Sequence, residues 1–187
     1  MVKRSARRQL RLAVVSILTP LMFGGLAVVG VSPVPPASAA PAPAAEEGRE
    51  IATLAKELRA DVLATVTAYR ALIDARLEPA ERRLLRASFA KADRQLTTVV
   101  RETTRLQDAL SRPATTSSSA RIRSAQARAQ AAWARAQMSA EESFTAVRER
   151  LEPQLTLIEK LRALNDYSAL LARFEDLGER IDTVTVR

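Results

Sequence analysis

Two pairs of carboxylates stand one helical turn apart in this chain, Glu57 with Asp61 and Glu175 with Glu179. Carboxylates so spaced can share proton-transfer work or hold a calcium ion. Both pairs lie on arginine-rich polar faces with no loop to converge them, so they read as solvated faces laced by ion pairs. Tyr69 and Tyr167 fall on apolar stripes. A phenolate can ligate haem iron, but rings packed in a core with their hydroxyls at its edge account for both. Thr103 interrupts another apolar stripe, where it could set register or line a cavity; its hydroxyl is expected to bond back to the carbonyl of the preceding turn.

The residue types that are missing exclude more than those present suggest. The chain has no cysteine and no histidine. Disulfides, thiolate metal sites, cysteine nucleophiles, Ser-His-Asp triads, histidine zinc sites and histidine-ligated haem are all impossible within it. No catalytic residue, cofactor or metal ligand is therefore assigned, and a non-enzymatic protein is expected.

One tract stands out by charge. Between Ala109 and Ala140 there is no acid and there are five arginines, Arg112, Arg121, Arg123, Arg128 and Arg135. They form the candidate contact surface for an anionic partner: a phosphate-rich envelope polymer, anionic lipid headgroups or an acidic protein face. The alternative is a face that merely keeps the chain soluble. Trp133, the one aromatic in the tract, sits on an apolar stripe, so the interleaved rings of a single-strand binder are missing and no nucleic-acid partner is expected.

The N-terminus supplies an address. Lys3, Arg4, Arg7, Arg8 and Arg11 precede an apolar stretch from Leu12 to Val31, and Ala37-Ser38-Ala39 gives a cleavage pattern before Ala40. Residues 1–39 are thus expected to be a cleaved export signal, placing the mature protein in the periplasm, cell envelope or outside. If residues 12–31 stay uncleaved they become a membrane anchor. Five of the 29 Lys and Arg residues and none of the 21 Asp and Glu residues lie in this leader. What remains is 24 bases against 21 acids, so the net charge of +8 falls to +3 and the basic character belongs mostly to the signal. Arginine outnumbers lysine 25 to four and alanine is abundant, as in GC-rich bacterial genomes.

The elements that must position these residues are helices. From Glu46 onward the chain holds only Gly48 and Gly178 as glycines and Pro79, Pro113 and Pro153 as prolines. That scarcity of breakers among Ala, Leu, Arg and Glu predicts nearly continuous helix, and no segment shows the alternation of a strand. Apolar residues recur at steps of three and four. The first stripe runs Ile51, Leu54, Leu58, Val62, Val66, Tyr69, Ile73, Leu77; the second Leu85, Phe89, Ala92, Leu96, Val99, Thr103, Leu106, Leu110. The third is alanine-rich, from Ile122 through Trp133 to Leu151. The fourth runs Leu157, Leu161, Leu164, Tyr167, Leu171, Phe174, Leu177, Ile181, Val184. A regular seam like the second can also pair between chains, so a homo-oligomer through helix seams is one expectation.

Arg76-Leu77-Glu78-Pro79 recurs as Arg150-Leu151-Glu152-Pro153, through duplication of a helical hairpin or through shared helix-end composition. If each proline starts a helix, the fold is an antiparallel up-down-up-down four-helix bundle, which is the expected architecture. If each only kinks one, the fold is a long two-helix coiled-coil hairpin. The apolar phase running through Leu84 and Ile158 favours the hairpin. Covering of all four stripes favours the bundle, as does the meeting of the arginine tract with the acids at both chain ends. The domain reading is a flexible mature N-terminus at 40–48 and one all-helical domain at 49–187, with a Pro/Ser/Thr loop at 111–119. The function expected is an exported, non-catalytic helical protein acting by surface contact in the bacterial envelope, as scaffold, spacer or adaptor. The alternative is an extracytoplasmic binding module, a holdase chaperone or a carrier of an apolar ligand.

Overall fold

A computed structural model describes residues 43–112 and 118–184. The expected export signal at 1–39 and most of the expected loop, residues 113–117, lie outside the described residues. Four helices follow in order: α1 (Pro43–Arg76), α2 (Pro79–Ser111), α3 (Ser118–Leu151) and α4 (Leu157–Thr183), with a 3-10 turn over Glu152–Gln154 before α4.

Each helix runs antiparallel to its neighbours. Arg59 bonds Asp93 at 2.8 Å and Arg86 bonds Asp74 at 2.8 Å between α1 and α2. Lys91 meets Glu142 and Ser88 meets Ser143 between α2 and α3, while Trp133 Nε1 donates to the Phe174 carbonyl between α3 and α4. Glu50 with Arg180, Asp61 with Arg173, Tyr69 with Asp166 and Arg76 with Glu159 join α4 back to α1. The order is that of an up-down-up-down four-helix bundle.

The two Leu-Glu-Pro breaks work differently. At the first, Glu78 is extended (φ −65°, ψ 153°), Pro79 begins α2, and the Glu81 carboxylate accepts from the Glu78 N–H at 3.2 Å. This is a proline at a helix start, where its missing N–H costs nothing. At the second, Pro153 sits in the 3-10 turn, Leu155 is extended, and α4 starts only at Leu157 under Thr156. The Thr156 hydroxyl accepts from the Glu159 N–H at 3.4 Å, and the Glu159 carboxylate accepts from the Thr156 N–H at 2.8 Å. This capping box overrides the proline and moves the helix start beyond Pro153, where the bundle reading expected it. The helix also begins earlier than expected at the other end. α1 opens at Pro43, inside the 40–48 stretch read as flexible, because Pro suits a first turn and the Ala-Ala-Glu-Glu run after it favours helix.

Glu159 carries a pH prediction. The Thr156 N–H first, then the Arg76 guanidinium and the Thr156 hydroxyl, hold its carboxyl down at about 2, against an ordinary value of 4.5. A depressed carboxyl stabilises the fold fully above its unfolded value, and that contribution is lost as pH falls through about 2. Urea midpoints measured at pH 5 and pH 2.5 should therefore fall further for the natural chain than for Glu159→Gln, which has no charge to lose.

The core falls into two clusters. The larger gathers Ile51, Leu58, Leu96, Leu106, Phe174 and Ile181 around the alanines of α3, toward the end where α1 begins and α4 ends. Ala125, Ala129, Ala132, Ala136 and Ala140 are all buried. Their small side chains let α4 approach so closely that a Cβ on Gly178 would lie 2.6 Å from the Trp133 ring. The smaller cluster, Ile73, Leu77, Leu85, Val147 and Leu151, closes the Leu-Glu-Pro end. The stripes of α1, α2 and α3 face these clusters, and Thr103 back-bonds to the Val99 carbonyl at 2.9 Å as expected. Most of the α2 seam, from Leu85 to Leu110, is buried within the bundle.

The first half of α4 departs from its expected stripe. Leu157 is 72% exposed, Leu161 60% and Leu164 58%; Ile158, on the phase that favoured the hairpin, is 79% exposed, and Leu84 is exposed too. The inward row here is instead Ala163, Tyr167, Leu170 and Phe174. Glu159, Asp166, Arg173 and Arg180 recur every seven residues and each meets α1. In this rotation of α4 the polar ladder faces α1, and Leu157, Leu161 and Leu164 turn out of the core.

Candidate functional site

Where α4 loses its leucines, the bundle opens. A cleft of about 500 Å³ lies between α1, α3 and α4 at the Leu-Glu-Pro end. This falls within the roughly 300–1,000 Å³ of small-molecule sites. Large side chains hold the helices apart there. Phe89 of α2 meets Phe144 of α3 edge-on at 6.1 Å between ring centroids, and Phe144 meets Tyr167 of α4 at 5.7 Å. These are ordinary spacings for paired rings. Toward the other end α3 presents alanines and α4 closes on it, but at Phe144, Val147 and Leu151 it cannot. Ala163 is too small to fill the gap, and exposed Leu161 and Leu164 form the lip. A second recess of about 280 Å³ lies between α1 and α2, with Val66 and Phe89 bordering both spaces.

The polar groups of the cleft are few. Tyr69 donates its hydroxyl to Asp166 Oδ2 at 3.0 Å. Burial, and then this bond to a carboxylate, push its phenol up to about 12. Burial and the nearby Glu141 also raise the Tyr167 phenol, with Arg148 opposing. Both phenols are held neutral. Arg148, Glu149 and Glu152 stand at the exposed edge. Lys160 also lines the cleft as a half-buried residue, and its ammonium makes no hydrogen bond or ion pair with a described residue.

The five arginines read from the sequence run from the end of α2 along the first half of α3. Arg112 caps α2 and the other four lie on α3. Arg128, Arg135, Arg123 and Arg112 are exposed and Arg121 is half-buried. Arg121 and Arg128 bond the hydroxyls of Ser118 and Ser124, and Arg123 bonds the Ser119 carbonyl. Among the described residues none of the five forms an ion pair. The acids of α4 meet other groups: Asp182 accepts from Gln130, and Arg180 takes Glu50 and Asp176. The charge match that favoured the bundle is therefore absent at the level of side chains. Of the paired carboxylates, Asp61 meets Arg173 across the helices, and no group of three or more Asp or Glu side chains is placed to hold a metal ion among the described residues.

Reading the sequence missed the cleft and Lys160. Two signals pointed to them. Thr156-x-x-Glu159 is a capping-box pattern, which sets where α4 begins. The fourth stripe also takes two successive steps of three at Leu161, Leu164 and Tyr167. Each such step falls short of a full turn by about 60°, so the stripe slides around the helix and cannot face one neighbour throughout.

No protein-family model matches this chain, and neither a curated protein nor a solved structure does.

Proposed function

We propose that the mature chain is an extracytoplasmic binding module that carries an apolar ligand in the cleft beside α4. The cleft itself carries this reading: a cavity of about 500 Å³ with an aromatic floor and a lip of exposed leucines. Fully burying one leucine is worth about 1.5–3 kcal/mol. Leu161 and Leu164, which border the cleft, leave most of that gain uncollected within the chain, available to a ligand that covers them. The leader pattern of residues 1–39 supports export. A non-catalytic role is supported by the Tyr69–Asp166 pair, which tightens the phenol proton where a general base would need to release it. The exposed arginines of α3, free of ion pairs among the described residues, support surface contact with an anionic envelope component as a second reading.

The test is titration of the full-length chain with a neutral hydrophobic dye such as Nile red. Saturable binding to the folded protein is expected. Ala163→Phe places a ring in the cleft, so it should weaken binding at least tenfold, about 1.4 kcal/mol, while the melting temperature stays equal or rises. Dye binding that is unsaturable, or unchanged by Ala163→Phe, would overturn the carrier reading.

A further inference from the structure

We infer that the ligand is a single unbranched hydrocarbon chain, and that Phe89 sets its length by walling the cleft off from the recess between α1 and α2. This rests on the carrier reading and adds the ligand's class and the residue that selects it. Val66 and Phe89 line both spaces, so one layer of side chains divides them. Both residues are half-buried, and the Phe89 ring stands edge-on to Phe144 at 6.1 Å. The surface stays apolar on either side of this wall. Val147 and Leu151 face the cleft, Ile73 and Leu85 face the recess, and all four belong to the core cluster against which Phe89 packs.

The two ends differ. The cleft opens over the exposed Leu161 and Leu164. The recess is bordered by charge: Asp74 bonds Arg86 at 2.8 Å and stands 3.7 Å from Arg70, and all three line it. An apolar tail gains nothing by passing those charges, so it enters over the leucines and ends facing Phe89. A space with one apolar entrance and a blind end suits a single chain, whose successive CH₂ groups all take up the same small cross-section. A smaller side chain at position 89 joins the two volumes. The recess of about 280 Å³ then adds more than half again to the cleft of about 500 Å³. Each further CH₂ buried there is worth about fourfold in affinity.

The test displaces Nile red from the full-length chain with unbranched primary alcohols from octanol to octadecanol, delivered from cyclodextrin. The readout is each alcohol's affinity for Phe89→Leu relative to the natural chain, so solubility and the delivery agent cancel. That ratio should stay near one for octanol and reach about tenfold or more for octadecanol, the gain from two or three extra buried CH₂ groups. Phe89→Leu keeps an apolar side chain in place and should still unfold cooperatively; Phe89→Ala should show the same trend more strongly. A bromine on the last carbon of octadecanol should quench the added emission of Arg70→Trp when Phe89→Leu is present, and not when Phe89 is intact. In the natural chain 2-hexyldecanol, a branched isomer of hexadecanol, should bind more weakly than hexadecanol by about tenfold or more; equal binding would overturn the unbranched class. A ratio that does not change with length, or a length gain without the quenching, would overturn the role of Phe89 and leave the carrier reading standing. If no alcohol displaces the dye from either protein, the carrier reading falls with it.

Discussion

Phe174→Ala lowers the unfolding free energy by about 3–5 kcal/mol, the usual cost of deleting a buried phenyl ring. Phe174 is 1% exposed and packs with Leu177, Ile181 and the α3 alanines in the larger cluster. Alanines cannot move in to fill the space, because their Cβ atoms are fixed by two helix backbones, so the cavity persists. Against a total stability of about 5–15 kcal/mol for a domain, this single change consumes about a fifth or more. Urea unfolding followed by circular dichroism gives the loss directly. A paired change makes the measurement specific to the structure: Leu157→Ala, on the same apolar stripe of the sequence, should stay within about 0.5 kcal/mol of the natural chain, since Leu157 is 72% exposed. Should Leu157→Ala cost as much as Phe174→Ala, the rotation assigned to α4 would be wrong, and the cleft with it.

Gly178→Ala is the second large effect, and its sign runs against helix propensity. Mid-helix alanine is ordinarily better than glycine by about 1 kcal/mol. Here the added Cβ would stand 2.6 Å from Trp133 Cζ2 and 2.8 Å from Cε2, where carbons prefer about 3.5–4.0 Å. The indole cannot swing aside freely, because its Nε1–H is bonded to the Phe174 carbonyl at 2.8 Å. Retreat by about 1 Å breaks that bond and parts α3 from α4. Overpacking of this kind costs about 1–3 kcal/mol, and loss of the hydrogen bond adds about 1 kcal/mol. A net destabilisation of about 1–3 kcal/mol is expected, with a red shift in the emission of the only tryptophan as the ring meets water. An unchanged spectrum together with increased stability would show that Gly178 is not in close contact with Trp133.

Much of the fold was legible residue by residue. The stripes of α1, α2 and α3 pack as their spacing implies, from Ile51 to Leu77, Leu85 to Leu110 and Ala125 to Leu151. Thr103 back-bonds to its preceding turn, and Pro79 starts a helix with Glu81 in its first turn. The bundle forms, but burial is what accounts for it: Gln130 and Gln126, rather than the arginines, meet the α4 terminus. The candidate site was far less legible. The arginine tract was readable as composition, whereas the cleft arises from side chains on α1, α2, α3 and α4 that share no motif.

The division follows from what is local and what is not. Helical period, proline, capping residues and the absence of Cys and His act within a few positions, so the sequence by itself determined the helical segments, the inward faces of α1, α2 and α3, and which chemistries are excluded. The rotation of a helix about its own axis is set by its neighbours. For α4 those neighbours lie far along the chain, at Arg76, Tyr69, Asp61 and Glu50, and their ion pairs and hydrogen bonds oppose the leucine stripe. Only the tertiary structure could decide that contest. It turned Leu157, Leu161 and Leu164 outward and left space between the aromatic rings because Ala163 has nothing to put there.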